Sequence, residues 1–226
     1  MQKEPRGPHR PFRGIPADRG VVVIAGGLSS RFGSNKGLHT LDGKAMLTRI
    51  VERASEVSRE LVVVIAKDES KIQYSHLLPD HVRIVNDEPK GKSPLVGMAT
   101  GLRVLGTRYV AVLSSDIPFV SPNVIAFLFQ RASDMDAAIP RWKSGHLEPL
   151  HAVYSREPML LRSEELLKNG LSSPLDAIQR LSHPVFISIE EEIKRIDPEL
   201  RTFFNINTKQ DLAEAEKLLI EMKRTR

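Results

Sequence analysis

The chain has no cysteine. That removes disulfides, thiolate metal sites and cysteine nucleophiles together, and it fits a cytosolic protein. Histidine is scattered. There are seven, none forms an H-x-x-x-H pair, and His146 and His151 lie too far apart along the chain to share a helix face. A zinc site is not expected. No apolar run approaches the ~20 residues that a membrane span needs. Met1-Gln2-Lys3-Glu4-Pro5-Arg6 leads into no hydrophobic segment, so no signal peptide is expected either.

Net positive charge is absent from the body of the chain. The net charge is +5, but residues 1–20 hold five basic and two acidic side chains. At the other end Lys217, Lys223, Arg224 and Arg226 stand against Glu221 alone. The stretch between is slightly acidic. Basicity confined to the ends does not demand a nucleic-acid partner, and solvated tails account for it.

What is present is a long alternation of strand-like and helix-like segments. Residues 1–19 are rich in proline and charge and read as a disordered basic tail. Residues 20–222 read as one domain, undivided by linker or repeat, and 223–226 as a short basic tail. Strands are expected at 21–25, 61–66, 82–85, 109–115, 136–139, 149–154 and 185–189. In 43–58, Met46, Leu47, Ile50, Val51, Ala54 and Val57 share one helical face. Ser121-Pro122 caps and opens another helix, and Thr208 caps a last one over 209–222. The alternation predicts an α/β fold with a mainly parallel sheet. In such sheets ligands lie beyond the carboxyl ends of the strands.

Polar residues suited to chemistry stand at those ends. Val21-Val22-Val23-Ile24 runs into Ala25-Gly26-Gly27-Leu28-Ser29-Ser30-Arg31-Phe32-Gly33-Ser34-Asn35-Lys36. Glycines let backbone approach an anion, and the loop then offers it cations, which outlines a phosphate site. It is neither a P-loop nor a dinucleotide fingerprint, because the glycine spacings differ. The apolar strand Tyr109–Ser115 ends on Asp116, a carboxylate suited to magnesium with phosphate oxygens and water. Asp87 follows the strand 82–85, in a sequence that also suits a turn. Asn205 and Asn207 point the same way if extended. Paired neutral amides bind phosphate, sugar or metal-bound water, or else brace the last helix.

The pattern A-G-G-x-S-x-R-F-G-x-x-K resembles the signature loop of nucleotidyltransferases. Among these the chain is most similar to the molybdenum cofactor guanylyltransferases, on that loop, on Asp116-Ile117-Pro118, on Pro94-Leu95-Val96-Gly97 and on Phe203-Phe204-Asn205-Ile206-Asn207-Thr208. Ser115 stands where many members have cysteine, and Ile65 where some carry a nucleotide-contacting asparagine. The resemblance implies a three-layer, Rossmann-like nucleotide-diphospho-sugar transferase fold. It implies Mg2+-dependent transfer of GMP from GTP to the terminal phosphate of molybdopterin, with molybdoenzymes or other cofactor-biosynthesis proteins as partners. In that scheme Ile24, Ala25, Gly26 and Gly27 surround the nucleotide with backbone, and Arg31 and Lys36 hold phosphates. Asp116 holds the metal, Asp87 orients the nucleotide, and Gly97 lets a base or ribose lie close. Asn205 and Asn207 close the far side, and His151 touches the second substrate or is buried by strand alternation. Other readings of the same residues are a CTP donor, an acceptor such as cobinamide phosphate, a sugar phosphate or a phospholactate, and a non-catalytic GTP-binding carrier or regulator.

Overall fold

The structure is a computed structural model, and it describes residues 14–26, 36–87 and 93–224. Its strands are β1 (Arg19–Ile24), β2 (Thr40–Leu41), β3 (Lys44–Ala45), β4 (Glu60–Ile65), β5 (Arg83–Asn86), β6 (Tyr109–Ser114), β7 (Ala137–Arg141), β8 (His151–Ser155) and β9 (Pro184–Ser188). Its α-helices are α1 (Met46–Ala54), α2 (Lys71–Ser75), α3 (Pro94–Val104), α4 (Pro122–Arg131), α5 (Arg156–Lys168), α6 (Pro174–Gln179) and α7 (Lys209–Arg224).

Seven strands form one sheet in the order β5-β4-β1-β6-β8-β7-β9. β5, β4, β1 and β6 are mutually parallel, while β8 runs antiparallel to both β6 and β7. The chain works outward from β1 through β4 to β5, then returns to place β6 on the other side of β1. That reversal opens a crevice between β1 and β6 at the carboxyl edge of the sheet, where ligands of such folds bind.

Alternation along the strands builds the layers. Val21 and Val23 pack with Leu47 and Val51 of α1 and Val124 and Leu128 of α4. Val22 and Ile24 face the other way, onto Leu95 and Met98 of α3, with Met159 and Leu166 of α5 in the same cluster. Sheet residues buried on both faces read as continuous branched runs. A smaller third cluster joins Leu41, Met46, Phe119 and Ile206 to Ala215 of α7.

The helix expected over 43–58 is shorter, Met46–Ala54, because the chain before it forms the β2–β3 hairpin. Asp42 (φ 51°) and Gly43 (φ 72°) make its two-residue turn, which needs left-handed backbone at both positions. α7 runs to Arg224, past the boundary expected at 222, and Lys223 Nζ reaches Asp42 Oδ2 at 2.6 Å. β1 begins at Arg19, and the carbonyl of Asp18 accepts the amide of Tyr109.

Candidate active site

The carboxyl ends of β5, β4, β1 and β6 and the start of β8 lie side by side along one edge of the sheet. Read across that edge, the residues are Asp87 after β5, Ala66 after β4, Ala25-Gly26 after β1, Asp116 after β6, and His151 opening β8. At ~4.8 Å per strand the row from β5 to β8 spans ~19 Å, enough for a nucleoside, its phosphates and a second substrate.

The end of β1 is fastened on both sides. The amides of Ala25 and Gly26 both donate to Val64 O, at 2.8 and 3.1 Å, and Ser115 N donates to Ile24 O at 3.1 Å. Those two amides therefore face the sheet, and what β1 offers a ligand here is a close, flat floor. Gly26 is glycine for a packing reason as well. A Cβ on it would stand 2.6 Å from Ala66 N and 2.9 Å from Ile65 C. At Gly97, in the first turn of α3, a Cβ would meet Ile24 Cγ2 at 3.2 Å, so this glycine seats the helix against β1. Ser93 accepts Val96 N as the cap of that helix. Gly27, Arg31 and the side chain of Lys36 lie outside the described residues.

Asp87 is half-buried. Its amide donates to Ile65 O at 2.8 Å, and its Oδ1 accepts the hydroxyl of Thr100 on α3 at 3.0 Å. Asn86, just before it, donates from Nδ2 to the carbonyls of Ala66 and Glu69, which pins the loop after β4.

Asp116 is half-buried, with its Oδ1 inside the protein. Its carbonyl accepts the amide of Ile206 at 2.9 Å. That bond draws the Asn205-Ile206-Asn207 segment against the end of β6. Ile206 is fully buried and both asparagines are exposed, the alternation that an extended segment gives. Asn205 Nδ2 donates to Phe203 O at 3.2 Å. Asp211 Oδ2 accepts the amides of Asn207 and Thr208, and Thr208 Oγ1 accepts Asp211 N, so Thr208 caps α7 in a reciprocal box.

Asp116, Asn205, Asn207 and His151 line one cavity of about 360 Å³, with Leu150 and Phe203 among its apolar walls. The walls are held rigidly. Trp142 Nε1 donates to Glu148 Oε1 at 2.7 Å, and Tyr154 OH donates to Pro149 O at 2.8 Å. Burial holds the Tyr154 phenol protonated, far above the usual range for tyrosine. His151 is 2% exposed, and burial drives its imidazole down to about 3, against a smaller opposing pull from the Thr202 backbone. The ring is therefore neutral. His151 is buried, as strand alternation allows, and it also lines the cavity.

Thr100 and Thr202 escaped the sequence reading. A hydroxyl that bonds across the fold looks like any other threonine in one dimension.

A model for the MobA-like NTP transferase domain matches residues 21–183. A protein of Methanosarcina mazei named probable molybdenum cofactor guanylyltransferase is 37% identical over 199 residues, covering 86% of this chain and 88% of the relative. The molybdenum cofactor guanylyltransferase of Desulfosudis oleivorans is 31% identical over 199 residues, covering 86% and 93%. The crystal structure of molybdopterin-guanine dinucleotide biosynthesis protein A from Archaeoglobus fulgidus superimposes with a TM-score of 0.76 at 29% identity, covering 90% of this chain and 99% of that one. A cytidylyltransferase from Thermus thermophilus shares the fold, with a TM-score of 0.64 at 19% identity, 88% of this chain and 97% of that one. With its switch-point crevice, its Asp116 and its paired asparagines in place, the chain belongs to the family of MobA-like NTP transferases.

Proposed function

We propose that this protein transfers the guanylyl group of GTP to the terminal phosphate of molybdopterin, forming the guanine dinucleotide cofactor and releasing pyrophosphate. The observation that carries this reading is the bond from Ile206 to Asp116, which puts a carboxylate and two amides around one cavity beside the switch-point crevice. The relatives named guanylyltransferases support GTP as donor and molybdopterin as acceptor.

In this reaction an oxygen of the acceptor phosphate attacks the α-phosphorus. The bond from that phosphorus to the bridging oxygen breaks, and the oxygen leaves with its electron pair as part of pyrophosphate. The attacking oxygen is already ionised, so no side chain need take a proton from it. Catalysis then rests on positioning and on stabilising charge. The nucleoside lies over the β5–β4–β1 side, where Asp87 is held by Thr100 and where Ile24, Ala25 and Gly26 make the floor. Arg31 and Lys36 take the phosphates, and Gly27 lets them approach. Asn205, Asn207 and His151 receive the acceptor in the cavity beyond β6.

Asp116 fits a magnesium site. Magnesium is usually held by one or two carboxylates with phosphate oxygens and water, and it needs no dedicated protein cage. Among the described residues no cluster of three or more histidines, cysteines or acids forms such a cage. When bound there, Mg2+ offsets negative charge on the triphosphate. No described helix is long and apolar enough to cross a membrane, and a cytoplasmic location is part of the proposal.

The test is pyrophosphate release with Mg2+ and purified molybdopterin, using GTP and CTP in parallel and cobinamide phosphate as a second acceptor. Turnover with GTP and molybdopterin is expected. Turnover with CTP but none with GTP overturns the guanylyl assignment, and tight GTP binding with no release overturns the enzymatic one.

A further inference from the structure

The cavity beyond β6 has a second carboxylate on its wall, and the reaction as described gives it nothing to do. Glu148 stands in the chain between β7 and β8, and its side chain is 21% exposed. Its backbone is fixed at both ends, since its amide donates to Pro140 O at 3.0 Å and its carbonyl accepts His151 N at 3.1 Å.

The carboxylate is aimed as well. Trp142 Nε1 donates to Glu148 Oε1 at 2.7 Å. Trp142 is itself held by a hairpin, in which its amide donates to His146 O at 2.8 Å, and by the edge of the Phe203 ring, 5.6 Å away between centroids. An indole donates one hydrogen bond, so it satisfies one lone pair of Oε1. His146 Nε2, at 3.9 Å from Oε1, is too distant to donate. Among the described residues nothing donates to Oε2, and that oxygen is not sealed inside the protein. One face of the carboxylate is braced and the other is left open.

A carboxylate accepts and does not donate, so its open face suits N–H groups and repels phosphate. Leu147, Leu150, Leu175 and Phe203 are apolar walls of the same cavity, against which a flat ring can lie. A pterin meets both demands. Its 2-amino group and the adjacent ring N3–H form a pair of parallel donors that matches the two oxygens of one carboxylate, as a guanidinium does. We propose that Glu148 is a specificity-determining residue that accepts this donor pair from the pterin ring of the acceptor, with Trp142 as the positioning residue that orients it. This rests on the reading of the cavity as the acceptor site. Guanine carries the same donor pair, but the nucleoside lies over the β5–β4–β1 side, whereas Glu148 belongs to the β7–β8 side.

Glu148→Gln keeps an oxygen for the Trp142 indole and turns an amide donor toward the ligand's donors. In the full-length protein it is expected to raise KM for molybdopterin about 30-fold, with KM for GTP and the melting temperature unchanged. A rise in KM for GTP instead assigns Glu148 to guanine and overturns the proposal, as does an unchanged KM for molybdopterin. A pair of ligands supplies a readout that a purely structural role would not move. 6-Hydroxymethylpterin phosphate carries the donor pair, and the matching lumazine phosphate has oxygen in place of the 2-amino group. The wild type should bind the pterin at least about ten-fold more tightly, because a site built for an N–H rejects the analogue that lacks it. Glu148→Gln should abolish that ratio, and Trp142→Phe should reduce it while sparing kcat. Equal binding of the two ligands by the wild type, binding of neither, or a ratio that survives in the glutamine variant overturns the proposal. The binding does not depend on turnover. If the wild type transfers nothing from GTP, the functional reading fails, yet a pterin preference that vanishes in Glu148→Gln still supports the role of Glu148.

Discussion

The amide of Ile206 donates to the carbonyl of Asp116 at 2.9 Å. Asp116 comes from the end of the central strand β6, and Ile206 from the run into the last helix. Neither motif is complete alone: the bond turns the carboxylate of one and the amides of the other toward the same cavity. It uses backbone only, so side chains on both segments can be changed without breaking it.

Asp116→Asn keeps the shape and the backbone bond and removes the charge. If Asp116 holds the metal against the phosphates, kcat for pyrophosphate release falls by ~10²–10³, the usual loss for one transition-state stabilising group. The urea midpoint should hardly move. A fall in stability that parallels the fall in rate would assign Asp116 a packing role instead.

Ile206 is buried in the cluster with Leu41, Met46, Phe119 and Ala215. Its side chain anchors the segment from inside while its amide anchors it at Asp116. Ile206→Ala leaves a cavity and is expected to lower stability by ~2–4 kcal/mol in chemical denaturation. Because Asn205 and Asn207 flank it, KM for the acceptor should rise in the same variant while GTP binding holds.

The central strands were legible because they are continuous branched apolar runs: β1, β4 and β6 start and stop within two residues of expectation. Where chain turns had to be weighed against periodicity, periodicity misled. The face shared by Met46, Leu47, Ile50, Val51 and Ala54 is real, yet the Asp-Gly turn at 42–43 claims the residues before it. Strand β8 starts at His151, not at Pro149, because Pro149 and Leu150 lie in a turn closed by His151 N donating to Glu148 O at 3.1 Å. The serine–proline start read at Ser121 also stands at Ser93 and Ser173, where each serine caps a helix. At the site, sequence could name Asp116, Asn205 and Asn207 but not their union. The antiparallel run of β8 and the Thr202–His151 pair depend on long-range packing that no local pattern encodes.

Gly26→Ala tests the tightest approach in the crevice. The new Cβ would fall 2.6 Å from a backbone nitrogen of Ala66, and backbone cannot swing aside as a side chain can. Overpacking of this kind costs ~1–3 kcal/mol. The shift needed to relieve it moves the start of the glycine loop, so KM for GTP should rise while KM for the acceptor stays. Thermal melts and GTP titrations of the variant check both.

His151 should leave a mark on acid stability. In the unfolded chain its pKa is near the ordinary 6.5, and in the folded protein burial lowers it to about 3. Between those values the unfolded state binds a proton that the folded state refuses, so stability drops as pH falls through this window. The loss on reaching the lower end is on the order of a few kcal/mol. His151→Gln removes the titrating group, and its stability should decline less over the same range. Carboxylates titrate in both proteins, so the difference between the two denaturation curves isolates the histidine. That difference should shrink steadily on acidification below pH 6.5. A constant difference would mean that the ring is charged or solvated in the folded protein.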